Sequence, residues 1–259
     1  MKIRKFTVTL LILLLVVCIC SIKYVMADSF PPMSQALDAL DSDDNATVSE
    51  NKLAWALFSP QYWVFEPKDT EPTKGFIFIP GGLVDPRAYA PPLHEIAAQG
   101  YLTVLVSMPF DLAPFGSKRP SKIIRKYKGI EKWAVGGHSV GGAYACKYAK
   151  EFTNKVDGVI IWASFPSINF RIEDKDVKVI LIYGTNNPNS NADEIEEHAV
   201  PYLPDDTVYV EIEGANHTQF GYYDTSPDPI QPGDDNATIT REQQQGRIIK
   251  ETVNFLDQL

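Results

Sequence analysis

A short glycine-flanked segment carries the residue types best suited to chemistry. Gly137-His138-Ser139-Val140-Gly141 follows the apolar run Lys132–Gly136 and precedes a helix-like segment, Val140–Phe152. Gly-x-Ser-x-Gly at a strand-to-helix turn raises a serine hydroxyl above the sheet edge, because the glycines on either side avoid Cβ clashes. The pattern predicts that Ser139 is a nucleophile rather than a serine that only caps a helix.

A nucleophilic serine needs a general base, and the chain contains four histidines. His217 follows the last apolar run, Thr207–Glu213, so we expect it on a loop at the carboxyl end of a strand. We expect His138, on its tight turn, to point away from the pocket and to support the site from behind. The remaining two, His94 and His198, are expected to be exposed on helices.

Two backbone N–H groups are candidates for an oxyanion hole. The first belongs to Val140, at the start of the helix after Ser139, where the helix dipole favours negative charge. The second comes from Pro80-Gly81-Gly82-Leu83, which follows an early apolar run. Either Gly82 or Leu83 could supply the second N–H group.

The elements that must position these residues alternate between short apolar runs and helix-like segments. This regularity predicts an α/β fold with a doubly wound, mostly parallel sheet flanked by helices, and chemistry at the carboxyl ends of its strands. The predicted strands are Tyr62–Glu66, Gly75–Pro80, Tyr101–Ser107, Lys132–Gly136, Gly158–Ala163, Val177–Tyr183 and Thr207–Glu213. The predicted helices are Arg87–Gln99, Ser121–Tyr127, Val140–Phe152, Asp193–His198 and Arg241–Leu259.

The N-terminal region divides into two predicted segments before the main domain, residues 52–259. Residues 1–27 have a basic start, an apolar middle and a small final residue, Ala27, which is typical of an export signal. An uncleaved N-terminal membrane anchor is the alternative, and either places the domain outside the cytoplasm. Residues 28–51 are polar and acidic and are predicted to form a linker or loose extension.

Composition excludes several classes of function. The formal charge is −9, and without residues 1–27 the chain has 20 basic and 33 acidic residues, a charge of −13. A field of that sign disfavours nucleic-acid binding, and membrane contact is expected only through the N-terminal segment. Two of the three cysteines lie in residues 1–27, which leaves Cys146 as a predicted buried thiol and rules out a Cys-based zinc site in the domain.

These motifs resemble those of compact α/β-hydrolases of the dienelactone-hydrolase-like and esterase-like group, especially the small exported or membrane-anchored bacterial members. The similarity covers about residues 60–259 and includes the unusual segment Gly214-Ala215-Asn216-His217-Thr218-Gln219-Phe220-Gly221. It implies serine-dependent hydrolysis, commonly of carboxylic esters, with no metal and no organic cofactor. Dienelactone hydrolases proper have a cysteine at the position of Ser139, so their particular substrate is not implied.

The chain departs from this family at the acid that orients the histidine. The family's turn usually reads Gly-x-x-Asp, whereas this chain has Gly184-Thr185-Asn186-Asn187. Asn187 therefore occupies the acid position, where an amide can hold a histidine but can also stabilise the wrong tautomer. The alternatives are that Asp193 supplies the carboxylate, that Asp174 does so less plausibly, or that the protein is catalytically poor.

Cap domains of this fold are usually inserted at the interval between Ala163 and Val177, which here is short. We therefore expect an open, shallow pocket suited to small or accessible ester substrates. Five aromatic residues either line it or belong to the core: Tyr62, Trp63, Phe110, Phe165 and Phe220. Two functions stay open, an exported serine esterase and a catalytically weak or inactive hydrolase-fold binding protein, and the sequence does not indicate the oligomeric state.

Overall fold

A computed structural model describes residues 29–52 and 61–259 of the chain. The predicted signal or anchor, residues 1–27, lies outside the described residues. Within the described ranges, no helix is both long enough and apolar enough to cross a membrane.

Eight strands of the described residues form one sheet in the order β1-β2-β4-β3-β5-β6-β7-β8. The pairs β1–β2 and β2–β4 are antiparallel, and every other neighbouring pair is parallel. The predicted α/β class and mostly parallel sheet are confirmed. The strands are β1 Ala46–Lys52, β2 Gln61–Pro67, β3 Lys74–Ile79, β4 Leu102–Val106, β5 Lys132–His138, β6 Gly158–Trp162, β7 Lys178–Gly184 and β8 Val208–Ile212.

Helices cover both faces of the sheet, which explains why the central strands are apolar along their whole length. Alternate residues of β3 point to opposite faces: Phe76 and Phe78 belong to one core cluster, whereas Ile77 and Ile79 belong to the other. The helices are α1 Ser34–Asp38, α2 Ala90–Ala98, α3 Pro120–Lys126, α4 Val140–Glu151, α5 Ala192–His198 and α6 Arg241–Asp257. Residues of α2 and α6 pack in the first cluster, and residues of α3, α4 and α5 pack in the second.

The prediction that residues 28–51 form a loose linker is wrong for the part that the structure describes. Residues 46–52 form β1, which pairs with β2, and Phe30 and Pro32 make bridges to Val84 and Tyr223. The segment is polar because β1 is an edge strand with one face in solvent, so only Ala46 and Val48 reach the core. Backbone hydrogen bonds attach the segment to the sheet, and amino-acid composition does not indicate them.

The prediction for His94 is wrong for the same reason, because it treated the N-terminal segment as unattached. Its ring was expected to be exposed, but it is 7% exposed and Nδ1 lies 2.9 Å from the carbonyl oxygen of Ala39. Asp43 lies 3.1 Å from Nε2 of the same ring. Because the N-terminal segment covers α2, a histidine that looks solvent-facing in the helix pattern becomes buried.

Two other predictions about single features are confirmed. Cys146 is a free, fully buried thiol on α4, and burial raises its pKa well above the usual range. Residues 163–177, between β6 and β7, contain only a short 3₁₀ turn, Ile168–Phe170, among their described elements. They leave no room for a large cap domain over the carboxyl edge of the sheet.

Candidate active site

Ser139 lies at the turn between β5 and α4, where the sequence pattern placed it. Its backbone has φ 54° and ψ −126°, a conformation that L-residues rarely adopt, and its N–H donates to the carbonyl of Trp162 at 2.9 Å. Cβ atoms at Gly137 and Gly141 would overlap the backbone of the neighbouring strand β3 and of the loop that follows it, above all the carbonyl oxygen of Ile79. The glycines are therefore required by the close approach of two backbones.

Unusual backbone geometry is concentrated at this edge of the sheet. The non-glycine residues with positive φ among the described residues all follow the carboxyl ends of β3, β4, β5 and β6, with φ between 47° and 57°. Such conformations cost about 1–3 kcal/mol each and persist only where the surrounding structure enforces them. These residues are Leu83, Phe110, Asp111, Ser139 and Ala163.

Of the two residues proposed beside Val140 for the oxyanion hole, the structure leaves Gly82 available. The N–H of Leu83 donates to the carbonyl of Asp111 at 2.9 Å, so it is already used. The N–H of Gly82 has no acceptor among the described residues. A Cβ on Gly82 would lie 3.5 Å from Cγ2 of Val140, so this loop faces the start of α4, where helix geometry leaves the N–H of Val140 without an acceptor inside the helix.

His217 follows β8 and lies against the nucleophile turn. Its side chain is 8% exposed, and its ring centroid is 4.3 Å from that of His138, the residue before Ser139. The described contacts include no hydrogen bond between the Ser139 hydroxyl and His217. Catalytic hydrogen bonds are often long in unliganded enzymes, so this arrangement remains compatible with a serine–histidine pair.

The residue at the acid position, Asn187, contacts His217 directly. Its Nδ2 lies 3.0 Å from Nδ1 of His217 and also donates to the hydroxyl of Ser190. Its Oδ1 accepts the N–H of Asn189 at 3.2 Å. Because a backbone N–H can only donate, Asn189 fixes which end of the amide is the oxygen, and the NH₂ group must face His217.

This orientation determines the tautomer of His217. If Nδ2 of Asn187 donates to Nδ1, the neutral ring carries its proton on Nε2, the nitrogen that a serine base must keep free. The competent tautomer requires the amide to turn over, which would set its NH₂ group against the N–H of Asn189. Asn187 is fully buried, and leaving its NH₂ group unpaired costs about 1–3 kcal/mol, equivalent to roughly a tenfold to hundredfold smaller population of the competent form.

The alternative carboxylates from the sequence are not brought to the histidine. Asp193 is exposed in the first turn of α5, and Asp174 is exposed beside Lys175, where the two make an ion pair. No hydrogen bond or ion pair of the described residues joins either one to His217. Asn187 is therefore the residue that occupies the acid position in space as well as in sequence.

The sequence analysis did not identify Asp234, which contacts the backbone of His217. Its carboxylate is 9% exposed and accepts hydrogen bonds from the N–H of His217 at 3.0 Å and the N–H of Thr218 at 2.7 Å. It lies in a loop rich in proline and aspartate, and its spacing from His217 matches no motif. The only sequence signal was that a long loop followed the candidate base.

Burial dominates the electrostatics of both histidines. It lowers the pKa of His217 to about 4, against a smaller opposing effect of the Asp234 charge. The pKa of His138 is held well below 6.5, first by burial and then by the neighbouring His217. Both rings are therefore neutral at pH 7, and a proton taken up by His217 during a reaction meets little charge repulsion from His138.

His138 contacts residues from both the Gly82 loop and the His217 loop. Its Nδ1 is 2.9 Å from the hydroxyl of Tyr89, which in turn accepts the N–H of Gly81 at 3.2 Å. The Tyr89 hydroxyl therefore contacts both the Gly81 backbone and the His138 ring. This buried chain ties the loop containing Gly82 to the histidine that packs on His217.

Among the described residues, two exposed apolar side chains lie at the start of α4 and in the 3₁₀ turn that contacts it. Val140 is 39% exposed and Phe115 is 61% exposed; the Phe115 ring packs edge-on against Phe110, 5.6 Å between centroids. Phe165 is half-buried, as is Phe110. The other three aromatic candidates, Tyr62, Trp63 and Phe220, are buried in the core.

Comparison with known proteins identifies the family to which the fold belongs. A family model described as the alpha/beta hydrolase family matches residues 75–246, and the chain belongs to that family. No curated protein matches the chain in sequence.

The described residues contain no group of three or more His, Cys, Asp or Glu side chains placed to hold a metal ion.

Several solved structures share the fold at low sequence identity. A dienelactone hydrolase from Anabaena variabilis is 14% identical, with a TM-score of 0.61 over 83% of this chain and 98% of that one. A Pyrobaculum calidifontis esterase is 12% identical (TM-score 0.62; 86% and 88% covered). A ferulic acid esterase from Streptomyces cinnamoneus is 12% identical (TM-score 0.64; 85% and 92% covered). At these identities the likeness establishes the fold.

Proposed function

We propose that this protein is an exported serine hydrolase that cleaves small or accessible carboxylic esters. Ser139 attacks the ester carbonyl, His217 takes its proton and returns it to the leaving alcohol, and the N–H groups of Val140 and Gly82 stabilise the oxyanion. Water then attacks the acyl-enzyme, with His217 again as base. Asn187 holds the ring of His217 in place.

The observation that carries this proposal is the strained backbone of Ser139. A φ of 54° is maintained at a residue that is not glycine, beside an N–H of Gly82 that no described residue uses and a histidine with a depressed pKa. Strain of this kind is typical of functional turns. The similar structures from Pyrobaculum calidifontis and Streptomyces cinnamoneus are those of esterases, which favours esters as the substrate class.

An exposed apolar rim favours ester substrates that are small or that lie across the surface. Val140 is accessible directly after Ser139, and Phe115 is accessible in the 3₁₀ turn Ala113–Phe115, which contacts α4. The short connection between β6 and β7 provides no cap to enclose a long acyl chain. We therefore expect turnover to decline as the acyl chain lengthens beyond what an open surface can bury.

The Asn187 amide supports a second candidate, a hydrolase-fold protein with weak or absent catalysis that acts by binding. In that case the Nε2–H tautomer would persist when substrate is bound, and Ser139 would have no effective base. The two candidates share a fold and a site, and they differ in whether Ser139 is reactive.

A fluorophosphonate probe tests the reactivity of Ser139. We expect the wild-type protein to be labelled, Ser139→Ala to lose labelling, and Ser167→Ala, an exposed serine between β6 and β7, to retain it. Hydrolysis of p-nitrophenyl esters of increasing chain length then defines the substrate range. Absence of labelling in a folded wild-type protein would contradict the serine hydrolase and favour the binding protein.

Export is a separate part of the proposal and depends on residues 1–27. We propose that signal peptidase cleaves after Ala27, so the intact mass of the exported protein should correspond to a chain that begins at residue 28. A full-length mass in the membrane fraction would instead indicate the uncleaved anchor.

A further inference from the structure

The carboxylate closest to the candidate base does not occupy the acid position. Asp234 accepts three hydrogen bonds, from the backbone N–H groups of His217 and Thr218 and from the Thr218 hydroxyl at 2.6 Å. It is 9% exposed, so little water screens its charge. A buried carboxylate is thus fixed to the main chain of the same residue whose ring would act as base.

The other groups around His217 do not supply this charge. Asn187, from the loop after β7, is a neutral amide, and His138, from β5, is neutral because burial depresses its pKa. From α6, Gln244 exchanges hydrogen bonds with the backbone of Asn216, and Arg241 donates to the carbonyls of Thr218 and Gly221. Arg241 has the opposite sign, so Asp234 is the negative charge that could offset a proton on His217.

We propose that Asp234 is the positioning carboxylate of this site, acting through the main chain of His217 and through its charge, in place of an acid bonded to the ring. This inference rests on the proposed serine hydrolase. Asn187 then sets the direction of the ring, while Asp234 anchors its backbone and stabilises the imidazolium that forms when Ser139 loses its proton. One role is divided between two residues on different loops.

The division has a physical basis. A carboxylate in the usual position both accepts the Nδ1 proton and offsets the ring charge. Hydrogen bonding requires contact with the ring, but charge stabilisation falls only with the inverse of distance in a poorly screened site. A carboxylate held at the His217 backbone can therefore retain the second effect without the first.

The substitution Asp234→Asn tests the charge at nearly constant shape. We expect kcat to fall about tenfold to hundredfold with KM unchanged, and the pKa of His217, followed by NMR of the imidazole, to fall further below that of the wild type. Asp235→Asn is the matched control, because it removes the same charge from an exposed neighbour. Thr218→Val removes one hydrogen bond to Asp234 and keeps the charge, so we expect lower stability with little change in the His217 pKa.

A double-mutant cycle separates charge from simple structural support. If Asp234 supplies the missing charge, Asn187→Asp should raise kcat more in the Asp234→Asn background than in the wild type, because the new carboxylate then replaces it. Equal effects in both backgrounds, or a His217 pKa that Asp234→Asn leaves at the wild-type value, would overturn the inference.

The NMR measurement keeps the inference separate from the proposed function. If the protein neither labels nor hydrolyses esters, the serine hydrolase fails, while the effect of Asp234→Asn on the His217 pKa is still measurable. Should Asp234→Asn not fold, the wild-type protein provides the test: the carboxyl carbon resonance of Asp234 should shift as His217 titrates. A resonance that does not follow His217 would overturn the inference.

Discussion

The serine side and the histidine side of the site are built differently. Ser139 and Val140 belong to one continuous strand, turn and helix, and Gly82 lies on the adjacent loop, so backbone packing alone fixes their geometry. His217 depends instead on side chains from separate loops, with an amide at Asn187 and a carboxylate at Asp234. A nucleophile turn tolerates few substitutions, whereas an orienting partner held by side chains can change identity or position.

The largest effect should come from placing a Cβ into the serine side. In Gly141→Ala the new methyl group would overlap the carbonyl oxygens of Ile79 and Pro80, which are backbone atoms that cannot move aside. We expect the free energy of unfolding to fall by about 4 kcal/mol or more, with loss of probe labelling, measured by urea denaturation. Gly246→Ala is the control, since nothing lies within 4 Å of its Cβ in α6; it should stabilise by about 0.5–1 kcal/mol. Equal stability of the two variants would contradict a sterically fixed turn.

On the histidine side the expected effect is acid lability. The folded-state pKa of His217 is about 4 and the unfolded value is 6.5, so the unfolded chain binds the proton first as the pH falls. This contribution to stability is complete above pH 6.5 and is lost between pH 6.5 and 4, amounting to about 3 kcal/mol. Denaturation across this pH range should show the decline, and His138, depressed in the same direction, adds to it.

Substitution of His217 provides the control for that decline. His217→Gln should reduce the dependence of stability on pH between 6.5 and 4 to the part that His138 contributes, whereas His198→Gln, at a ring that is 41% exposed, should leave it as in the wild type. An unchanged slope in His217→Gln would show that the buried histidine is not its source.

A carboxylate at the acid position should make His217 as well suited to catalysis as the serine side already is. In Asn187→Asp one oxygen can still accept a hydrogen bond from the N–H of Asn189, while the other accepts hydrogen bonds from Nδ1–H of His217 and from the Ser190 hydroxyl. The ring then keeps Nε2 free, so we expect kcat for p-nitrophenyl acetate to rise about tenfold to hundredfold at pH 8. The carboxylate also raises the pKa of His217, which moves the acid limb of the pH–rate profile to higher pH.

The adjacent amide gives a matched control for this gain. Asn186→Asp adds the same charge one residue away, at a side chain that bonds the carbonyl of Asn236 rather than His217. It should leave kcat within about twofold of the wild type. If Asn187→Asp does not exceed it, the amide is not what limits the base.

The sequence predicts the serine side of the site better than the histidine side. The strands β2 to β8 and the turn at Ser139 were predictable because each depends on contiguous residues, apolar runs in one case and paired glycines in the other. His217 was predictable from its place after the last strand. Strand β1 was missed because a solvent-facing edge strand has the polar composition of a linker, and its hydrogen bonds come from the backbone.

Asp234 was beyond prediction for a related reason. Its contact with His217 spans 17 residues of a loop that contains several aspartates, and only tertiary packing selects which of them is buried. Leu83 shows the converse: the sequence allowed its N–H as an oxyanion donor, but the left-handed turn at Phe110–Asp111 places a carbonyl against it. Contacts that depend on loop conformation are not encoded in local spacing.

The smallest effect should come from a methyl group at Gly82, which tests how closely the oxyanion loop approaches the helix. A Cβ there would lie 3.5 Å from Val140 and 3.7 Å from Leu112, which is ordinary contact, and Gly82→Ala keeps the N–H that the proposed mechanism uses. We expect the free energy of unfolding to change by less than about 0.5 kcal/mol and kcat to stay within about threefold.

At the neighbouring Gly81 a Cβ would lie 2.7 Å from the Tyr89 hydroxyl and 3.1 Å from Nδ1 of His138, so Gly81→Ala should cost about 1–3 kcal/mol and disturb the histidine side as well. If Gly82→Ala proved as damaging as Gly81→Ala, the loop would depend on Gly82 for its own conformation, and the serine side would be less tolerant at its rim than the packing against Val140 implies.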